Sequence, residues 1–82
     1  GVNKKLIGFE MLEKAIPRNG YTIYSFDKQK IGIVTSGTMS PSLKKGIGLG
    51  YVKSSFSILN TKIFIEIRGN MKQALIVKTP FK

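Results

Sequence analysis

The chain has 82 residues, which predicts one small domain that buries roughly 60–65% of the surface exposed by its unfolded form. It contains neither cysteine nor histidine, which excludes disulfides, thiolate or imidazole metal sites, and Ser-His or Cys-His nucleophile pairs. Its 14 basic and four acidic residues give a net charge of +10, which predicts either a solubilising surface or an anionic partner.

No targeting or membrane-spanning segment is recognisable in the sequence. The apolar runs are far shorter than the roughly 20 residues of a membrane helix, so no membrane partner is predicted. Residues 1–5 lead into LIGFEM without the pattern of a signal peptide. Because the chain does not begin with methionine, we expect it to be part of a longer protein.

The first two predicted strands are LIGFEM at 6–11 and YTIYSF at 21–26. The segment between them is less regular. Residues 11–15 favour one helical turn at most, because Pro17 pushes Ile16 into an extended conformation. A turn is predicted to follow at residues 18–20, where Gly20 tolerates the backbone conformations that turns require.

The four carboxylates are too few to predict an acid–base pair. Glu10 and Glu13 lie three residues apart with Lys14 beside them, which is the pattern of an ordinary solvated edge. Catalysis by this chain alone is therefore not predicted.

The next two predicted strands are KIGIVTS at 30–36 and IGLGYVK at 47–53. Between them the polar stretch SGTMSPSLKKG, residues 36–46, predicts a long loop rather than a tight turn. Pro41 stiffens it by fixing φ near about −65°. Three hydroxyl residues are expected to bridge local backbone amides, namely Ser36, Thr38 and Ser40. Lys44 and Lys45 then project from a defined edge.

Three alternating glycines, Gly46, Gly48 and Gly50, lie on one face of the fourth predicted strand. Such a row predicts a sharply coiled strand, or a face against which other backbone packs closely. The last two predicted strands are KIFIEIR at 62–68 and QALIVK at 73–78, the latter apolar enough to be covered on both sides. Gly69 is expected to adopt a positive φ in the turn between them.

Six short strands at this spacing predict an all-β fold, a small antiparallel barrel. The chain is basic and contains three tyrosines and five phenylalanines. An alternative hypothesis is therefore a nucleic-acid-binding barrel, in which bases stack on aromatic rings along a positive groove. Against this, the aromatic residues lie mostly within alternating runs, where they are expected in the core. Nucleic acid therefore stays as the alternative partner.

Three segments resemble a known family. GIVTSGTMSPSLKKGIGLGYV, residues 32–52, is similar to the signature of the C-terminal barrel domain of the glycine cleavage T-protein, the aminomethyltransferase. KKLIGFEMLEKAIPRNGY at 4–21 and NTKIFIEIRGNMKQALIVKTPF at 60–81 resemble the opening and the end of that domain. The resemblance implies a small six-stranded antiparallel Greek-key barrel. It also implies that residues 1–82 form the C-terminal domain of a larger enzyme.

The resemblance further implies what that enzyme does. The complete enzyme moves a one-carbon unit from the aminomethyl-lipoyl arm of the H-protein to tetrahydrofolate and releases ammonia. Its catalytic residues lie in larger folate-binding domains, so none is expected in this chain. The implied partners are those domains and the lipoylated H-protein, and the implied cofactor is tetrahydrofolate. The implied location is the bacterial cytoplasm, or the mitochondrion in a eukaryote.

Four residues are candidates for facing folate or a partner, namely Arg18, Ser40, Lys44 and Lys45. Arg18 occupies a motif position, and the stretch containing the other three would face the folate channel or the H-protein. The alternative for that stretch is a structural crossover between strands. Family members usually continue past the Pro80–Phe81 pair, whereas this chain ends one residue later, which puts a contribution of the tail to folate binding in doubt.

Overall fold

The computed structural model describes residues 3–78 of the chain, so the predicted role of the C-terminal tail lies outside the described residues. The strands are β1 (Lys4–Met11), β2 (Thr22–Ser25), β3 (Lys30–Ser40), β4 (Lys45–Lys53), β5 (Lys62–Ile67) and β6 (Asn70–Val77). A single 3-10 turn at Ser54–Phe56 is the helical element of this part of the chain. Within residues 3–78, no helix has the length and apolar character needed to cross a membrane.

The six strands form a closed antiparallel barrel in the order β1-β4-β3-β2-β5-β6, with β6 pairing back onto β1. Strands β2, β3 and β4 follow one another as a meander, and β1 lies beside β4, which is a Greek-key arrangement. The prediction of an all-β, six-stranded antiparallel Greek-key barrel is confirmed. Within residues 3–78, closure gives every strand two neighbours, which reduces the sheet edge available to other chains.

The core is built from the inward-facing residues of the strands. It consists of Ile7, Phe9, Met11, Ile23, Ile31, Val34, Val52, Ile63, Ile65, Ala74 and Ile76. The alternation predicted for β5 is confirmed, because Ile63 and Ile65 are buried. In β6 the outward-facing Leu75 and Val77 are only half-buried, so the prediction of a strand covered on both sides holds for one face only.

The glycine row of β4 faces inward against other backbone. A Cβ at Gly48 would lie 2.7 Å from both the Phe9 ring and the carbonyl oxygen of Ser36, and one at Gly46 would overlap the carbonyl oxygen of Ala15. Side chains there would push apart β1, β3 and the segment that crosses the barrel end. The predicted close approach of backbone is therefore confirmed.

The prediction of a long loop at residues 36–46 is wrong. Strand β3 continues to Ser40 and β4 begins at Lys45, so the turn contains only residues 41–44. The backbone pairs in register from Gly37 opposite Gly48 to Ser40 opposite Lys45. The polar side chains do not prevent pairing, since outward positions on the pleat accept them. Pro41 ends the strand because it has no N–H to continue the ladder.

The turn between β5 and β6 is a two-residue hairpin with positive φ at Arg68 (52°) and Gly69 (81°). Ile67 pairs with Asn70 across it. Positive φ at both central residues is the type I′ geometry, whose twist matches that of the flanking strands. The positive φ predicted for Gly69 is confirmed, and Arg68 has a positive φ as well.

Candidate functional site at the basic end of the barrel

All four candidate residues lie at the same end of the barrel. The antiparallel order brings together the end of β1, the start of β2 and the β3–β4 and β5–β6 turns. We call this assembly, residues 11–21, 40–46 and 67–72, the basic end. Its cations are Lys14, Arg18, Lys44, Lys45, Arg68 and Lys72. Positions distant in sequence thus form one positively charged surface.

Ser40 holds the β3–β4 turn together from within. Its side chain is only 9% exposed, and its hydroxyl oxygen accepts a hydrogen bond from the Leu43 N–H at 3.2 Å. Its carbonyl oxygen accepts from the Lys44 N–H at 2.7 Å. Lys44 itself has a positive φ of 56° and is exposed. These contacts match the interpretation of this stretch as a structural element between strands.

Lys45 forms an ion pair with Glu10 across the β4–β1 ladder, with Nζ 3.5 Å from the carboxylate. Both side chains are partly exposed, so the pair contributes little stability. Beside it lies a cleft of about 370 Å³, which we call the lysine cleft. Its lining includes Met11, Lys14, Ala15, Met39, Lys44 and Lys45. Two of the candidate lysines therefore share one cleft.

Glu13 has a structural role that differs from the solvated edge predicted for it. Its carboxylate accepts a hydrogen bond from the Gln73 N–H at 2.6 Å, while the Leu12 N–H donates to the Gln73 carbonyl oxygen at 2.9 Å. Together they extend the β1–β6 ladder past the end of β1. Residues 11–15 accordingly form no helical turn. Since 60 residues separate the two partners, no local sequence signal reveals the contact.

Arg18 lies in the predicted turn before β2, where its carbonyl oxygen accepts from the Tyr21 N–H at 3.2 Å and Gly20 has a φ of 96°. Its exposed side chain lines a second cleft of about 360 Å³, the arginine cleft. The lining of this cleft includes Lys14, Arg18, Tyr21, Ile67, Arg68 and Lys72. Lys14 lines both clefts, so the two adjoin.

The opposite end of the barrel, which we call the apolar end, exposes large apolar side chains as well as lysines. A cleft of about 380 Å³, the apolar cleft, is lined by Ser25, Phe26, Asp27, Phe56, Lys62 and Ile63, among others. Phe26 is 56% exposed and stacks on Phe64 with ring centroids 5.2 Å apart. Ile58 and Leu59, in the segment between the 3-10 turn and β5 at the same end, are 69% and 50% exposed. The prediction that most aromatic residues lie in the core is wrong. Among those of residues 3–78, only Phe9 belongs to the buried core, while Tyr21 and Phe56 pack against it half-buried.

The loop carrying Ile58 and Leu59 is held firmly against β6. The Asn60 N–H donates to the Ile76 carbonyl oxygen at 2.8 Å, and the Ile76 N–H donates to the Thr61 carbonyl oxygen at 3.0 Å. The exposure of these apolar side chains is therefore a property of an anchored loop.

Tyr24 and Glu66 form a polar contact on the outside of the barrel, with the phenol donating to the carboxylate at 3.3 Å. Reduced solvation of the hydroxyl, together with the negative charge of Glu66 and this hydrogen bond, raises the pKa of Tyr24 above its ordinary value of 10.0. Within residues 3–78, no cluster of three or more acidic, histidine or cysteine side chains is placed to hold a metal ion.

Comparison with known proteins places the chain in a family. Residues 4–82 match the family model described as the glycine cleavage T-protein C-terminal barrel domain. The chain belongs to this family. As a T-protein barrel it is 52% identical over 82 residues to an aminomethyltransferase of Phocaeicola vulgatus, covering 100% of this chain and 23% of that protein. It is 57% identical over 81 residues to an aminomethyltransferase of Flavobacterium psychrophilum, covering 99% and 22%.

Solved structures agree with this assignment. The T-protein barrel superposes on the crystal structure of glycine cleavage system aminomethyltransferase T from Bartonella henselae with a TM-score of 0.85 and 26% identity, covering 94% of this chain and 21% of that one. The chain thus spans less than a quarter of the length of these relatives. The predicted family resemblance is confirmed, and the comparisons give no support to the alternative of a nucleic-acid-binding barrel.

Proposed function

We propose that this chain is the C-terminal barrel of an aminomethyltransferase of the glycine cleavage system. That enzyme moves a one-carbon unit from an aminomethyl-lipoyl carrier protein to tetrahydrofolate with release of ammonia. The observation that carries the proposal is the similarity over the whole chain, at about half identity, to proteins named aminomethyltransferase. The relatives are bacterial, and we propose the bacterial cytoplasm as the location of this enzyme.

Within that enzyme the chain serves as a packing and docking domain, with the reacting groups in the larger folate-binding domains. The apolar end supports this role. Three large apolar side chains are at least half exposed at this end, namely Phe26, Ile58 and Leu59, and apolar surface of this kind supports an interface there. Because the relatives are more than four times as long as this chain, their remaining domains are the proposed occupant of this surface.

The basic end is proposed to face tetrahydrofolate or the lipoylated H-protein. Arg18 and Lys44 are exposed there, so their charges are available to carboxylates of either partner, whereas half-exposed Lys45 is paired with Glu10. Cations on such a surface also raise the rate of encounter with an acidic partner at low salt. Tetrahydrofolate supplies the acceptor for the one-carbon unit, and this chain contributes cations that attract and orient its carboxylates.

The experiment is an assay of the longer protein encoded by the complete reading frame. With aminomethylated H-protein and tetrahydrofolate, we expect release of ammonia that depends on both substrates. The 82-residue chain alone is expected to be inactive in the same assay. A full-length protein that folds but releases no ammonia would contradict the proposal.

A further inference from the structure

The turn before β2 contains the sequence Asn19-Gly20, in which asparagine is prone to spontaneous deamidation. The reaction needs the backbone nitrogen of the following residue to reach the asparagine side chain, and glycine has no side chain to obstruct it. The chain has four asparagines, and Asn19 is the one that precedes glycine, since the others precede Lys4, Thr61 and Met71. The sequence therefore marks Asn19 as the most reactive asparagine.

Both residues of this pair are accessible to water. Asn19 and Gly20 are exposed, and a Cβ added to Gly20 would have no atom of a more distant residue within 4 Å. Hydroxide can therefore reach the Gly20 amide, and water can hydrolyse an intermediate formed there. Judged by exposure alone, the site should react as fast as an unstructured peptide.

The hydrogen bonds of the turn oppose the reaction. The Gly20 N–H donates to the Val34 carbonyl oxygen at 2.8 Å, and the Val34 N–H donates to the Tyr21 carbonyl oxygen at 2.8 Å. These bonds extend the β2–β3 ladder beyond Thr22, the first residue of β2. The acceptor is held in place, since Val34 is fully buried in the core. The nitrogen that must attack Asn19 is therefore part of the sheet, with its proton directed at the Val34 oxygen.

We propose that Asn19 is a deamidation site whose reaction is controlled by opening of the Gly20–Val34 hydrogen bond. Once this bond opens, the Gly20 nitrogen loses its proton to hydroxide and bonds to Cγ of Asn19. The Cγ–Nδ2 bond breaks, and Nδ2 takes a proton from water and leaves as ammonia. Water then opens the succinimide that has formed. Cleavage between the nitrogen and Cγ gives aspartate, and cleavage between the nitrogen and the α-carbonyl carbon gives isoaspartate.

Both products change the basic end. Each adds a carboxylate to the residue next to Arg18 in the chain, and so lowers the positive charge of this surface. Isoaspartate also adds one atom to the backbone before Gly20. The turn then cannot keep both the Gly20–Val34 bond and the bond of 3.2 Å from the Tyr21 N–H to the Arg18 carbonyl oxygen. Deamidation therefore couples a loss of charge to a loss of the turn that places Arg18.

The test compares the folded 82-residue chain with a peptide of residues 15–24 in the same mildly alkaline buffer. Mass spectrometry of proteolytic fragments locates the product, and an isoaspartate-specific methyltransferase measures isoaspartate. We expect deamidation of Asn19 to be at least about tenfold slower in the folded chain than in the peptide, because the reaction requires opening. Hydrogen exchange of the Gly20 amide should show protection of the same size, within about twofold, because one opening controls both reactions.

The variant Gly37→Ala changes the opening without changing the reactive pair. A Cβ at Gly37 would overlap the Pro17 carbonyl oxygen, which displaces the chain two residues before Asn19. We expect the protection of the Gly20 amide to fall and the deamidation rate to rise by the same factor. If this variant does not fold, urea below the unfolding transition of the unaltered chain provides the second means of changing the opening.

The consequence for the turn has its own control. Chains that contain isoaspartate at position 19 are expected to lose the protection of the Gly20 amide, whereas Asn19→Asp carries the charge on a normal backbone and should keep it. Three results would overturn the proposal: equal rates in the folded chain and the peptide, no reaction at Asn19 in the peptide, or slow reaction in a folded chain whose Gly20 amide exchanges freely. The reaction needs no substrate or partner, so these results do not bear on the proposed aminomethyltransferase function.

Discussion

Glu13 shows how one side chain can replace a strand residue. Its carboxylate takes the Gln73 N–H that the β1 backbone no longer reaches. We expect Glu13→Ala to lower the free energy of unfolding by about 1 kcal/mol, since a hydrogen bond to a charged group is lost at an exposed site. Glu13→Gln keeps an acceptor oxygen and should lose less. Urea denaturation measures both, with Glu10→Ala as the control, where only a surface ion pair is broken.

Tyr24 provides a pH-dependent readout at the residue scale. Because its pKa is raised in the folded barrel, the folded state binds the phenolic proton more tightly than the unfolded state does. This contribution to stability is fully present below pH 10.0, the ordinary value, and is lost as the pH rises through the raised pKa. In an absorbance titration of the phenolate band, Tyr24 should ionise at a higher pH than an ordinary tyrosine, and this step should be missing in Tyr24→Phe. In Glu66→Gln it should move down towards the ordinary value, because the carboxylate charge and its hydrogen bond are removed.

Variants of the β3–β4 turn can show whether this turn has only a structural role or also faces folate or the H-protein. The Ser40 hydroxyl accepts from Leu43 inside the turn, and Pro41 restricts the unfolded chain. We expect Ser40→Ala/Pro41→Ala to destabilise the barrel by about 1–2 kcal/mol. Ser42→Ala, at an exposed position of the same turn, is the matched control.

In the full-length protein the same pair of variants measures the role of this turn in folate binding. Lost stability with unchanged folate affinity leaves only a structural role for the turn. Reduced affinity in Ser40→Ala/Pro41→Ala, with normal affinity in Ser42→Ala, would show that the turn also faces the ligand.

The strands were predictable to different degrees for physical reasons. Alternation located β5 because Ile63 and Ile65 meet the core while Glu66 does not. It failed at residues 36–40, where pairing with β4 decides the conformation and the exposed positions accept Ser36 and Thr38. Local sequence cannot show a partner strand, and the predicted loop followed from composition alone.

The candidate site was predictable only as separate residues. Arg18 and the lysines after Pro41 were recognised from a motif, but their meeting at one end depends on barrel closure. Arg68 and Lys72 were missed because nothing near them in sequence marks a site. They join Arg18 through the β5–β6 hairpin, which the antiparallel order brings to that end.

At the scale of the whole molecule, both ends of the barrel carry lysines, and the apolar end differs in also holding the more exposed apolar side chains, Phe26, Ile58 and Leu59. Its core is enclosed by the six strands, whereas Ile58 and Leu59 remain exposed on an anchored loop. We expect Ile58→Ser/Leu59→Ser to change the unfolding free energy of the 82-residue chain by less than about 0.5 kcal/mol, since both residues are at least half exposed. In the full-length protein the same change removes apolar area from the proposed domain interface.

For Ile58→Ser/Leu59→Ser in the full-length protein, we expect a lower midpoint of thermal unfolding and faster proteolytic release of the barrel from the other domains. Leu12→Ser is the control, because Leu12 is similarly exposed at 43% but lies at the basic end. If both variants leave the full-length protein equally stable, the apolar end does not pack on the other domains. If the double variant unfolds the isolated chain, Ile58 and Leu59 stabilise the barrel itself, and their exposure would no longer argue for an interface.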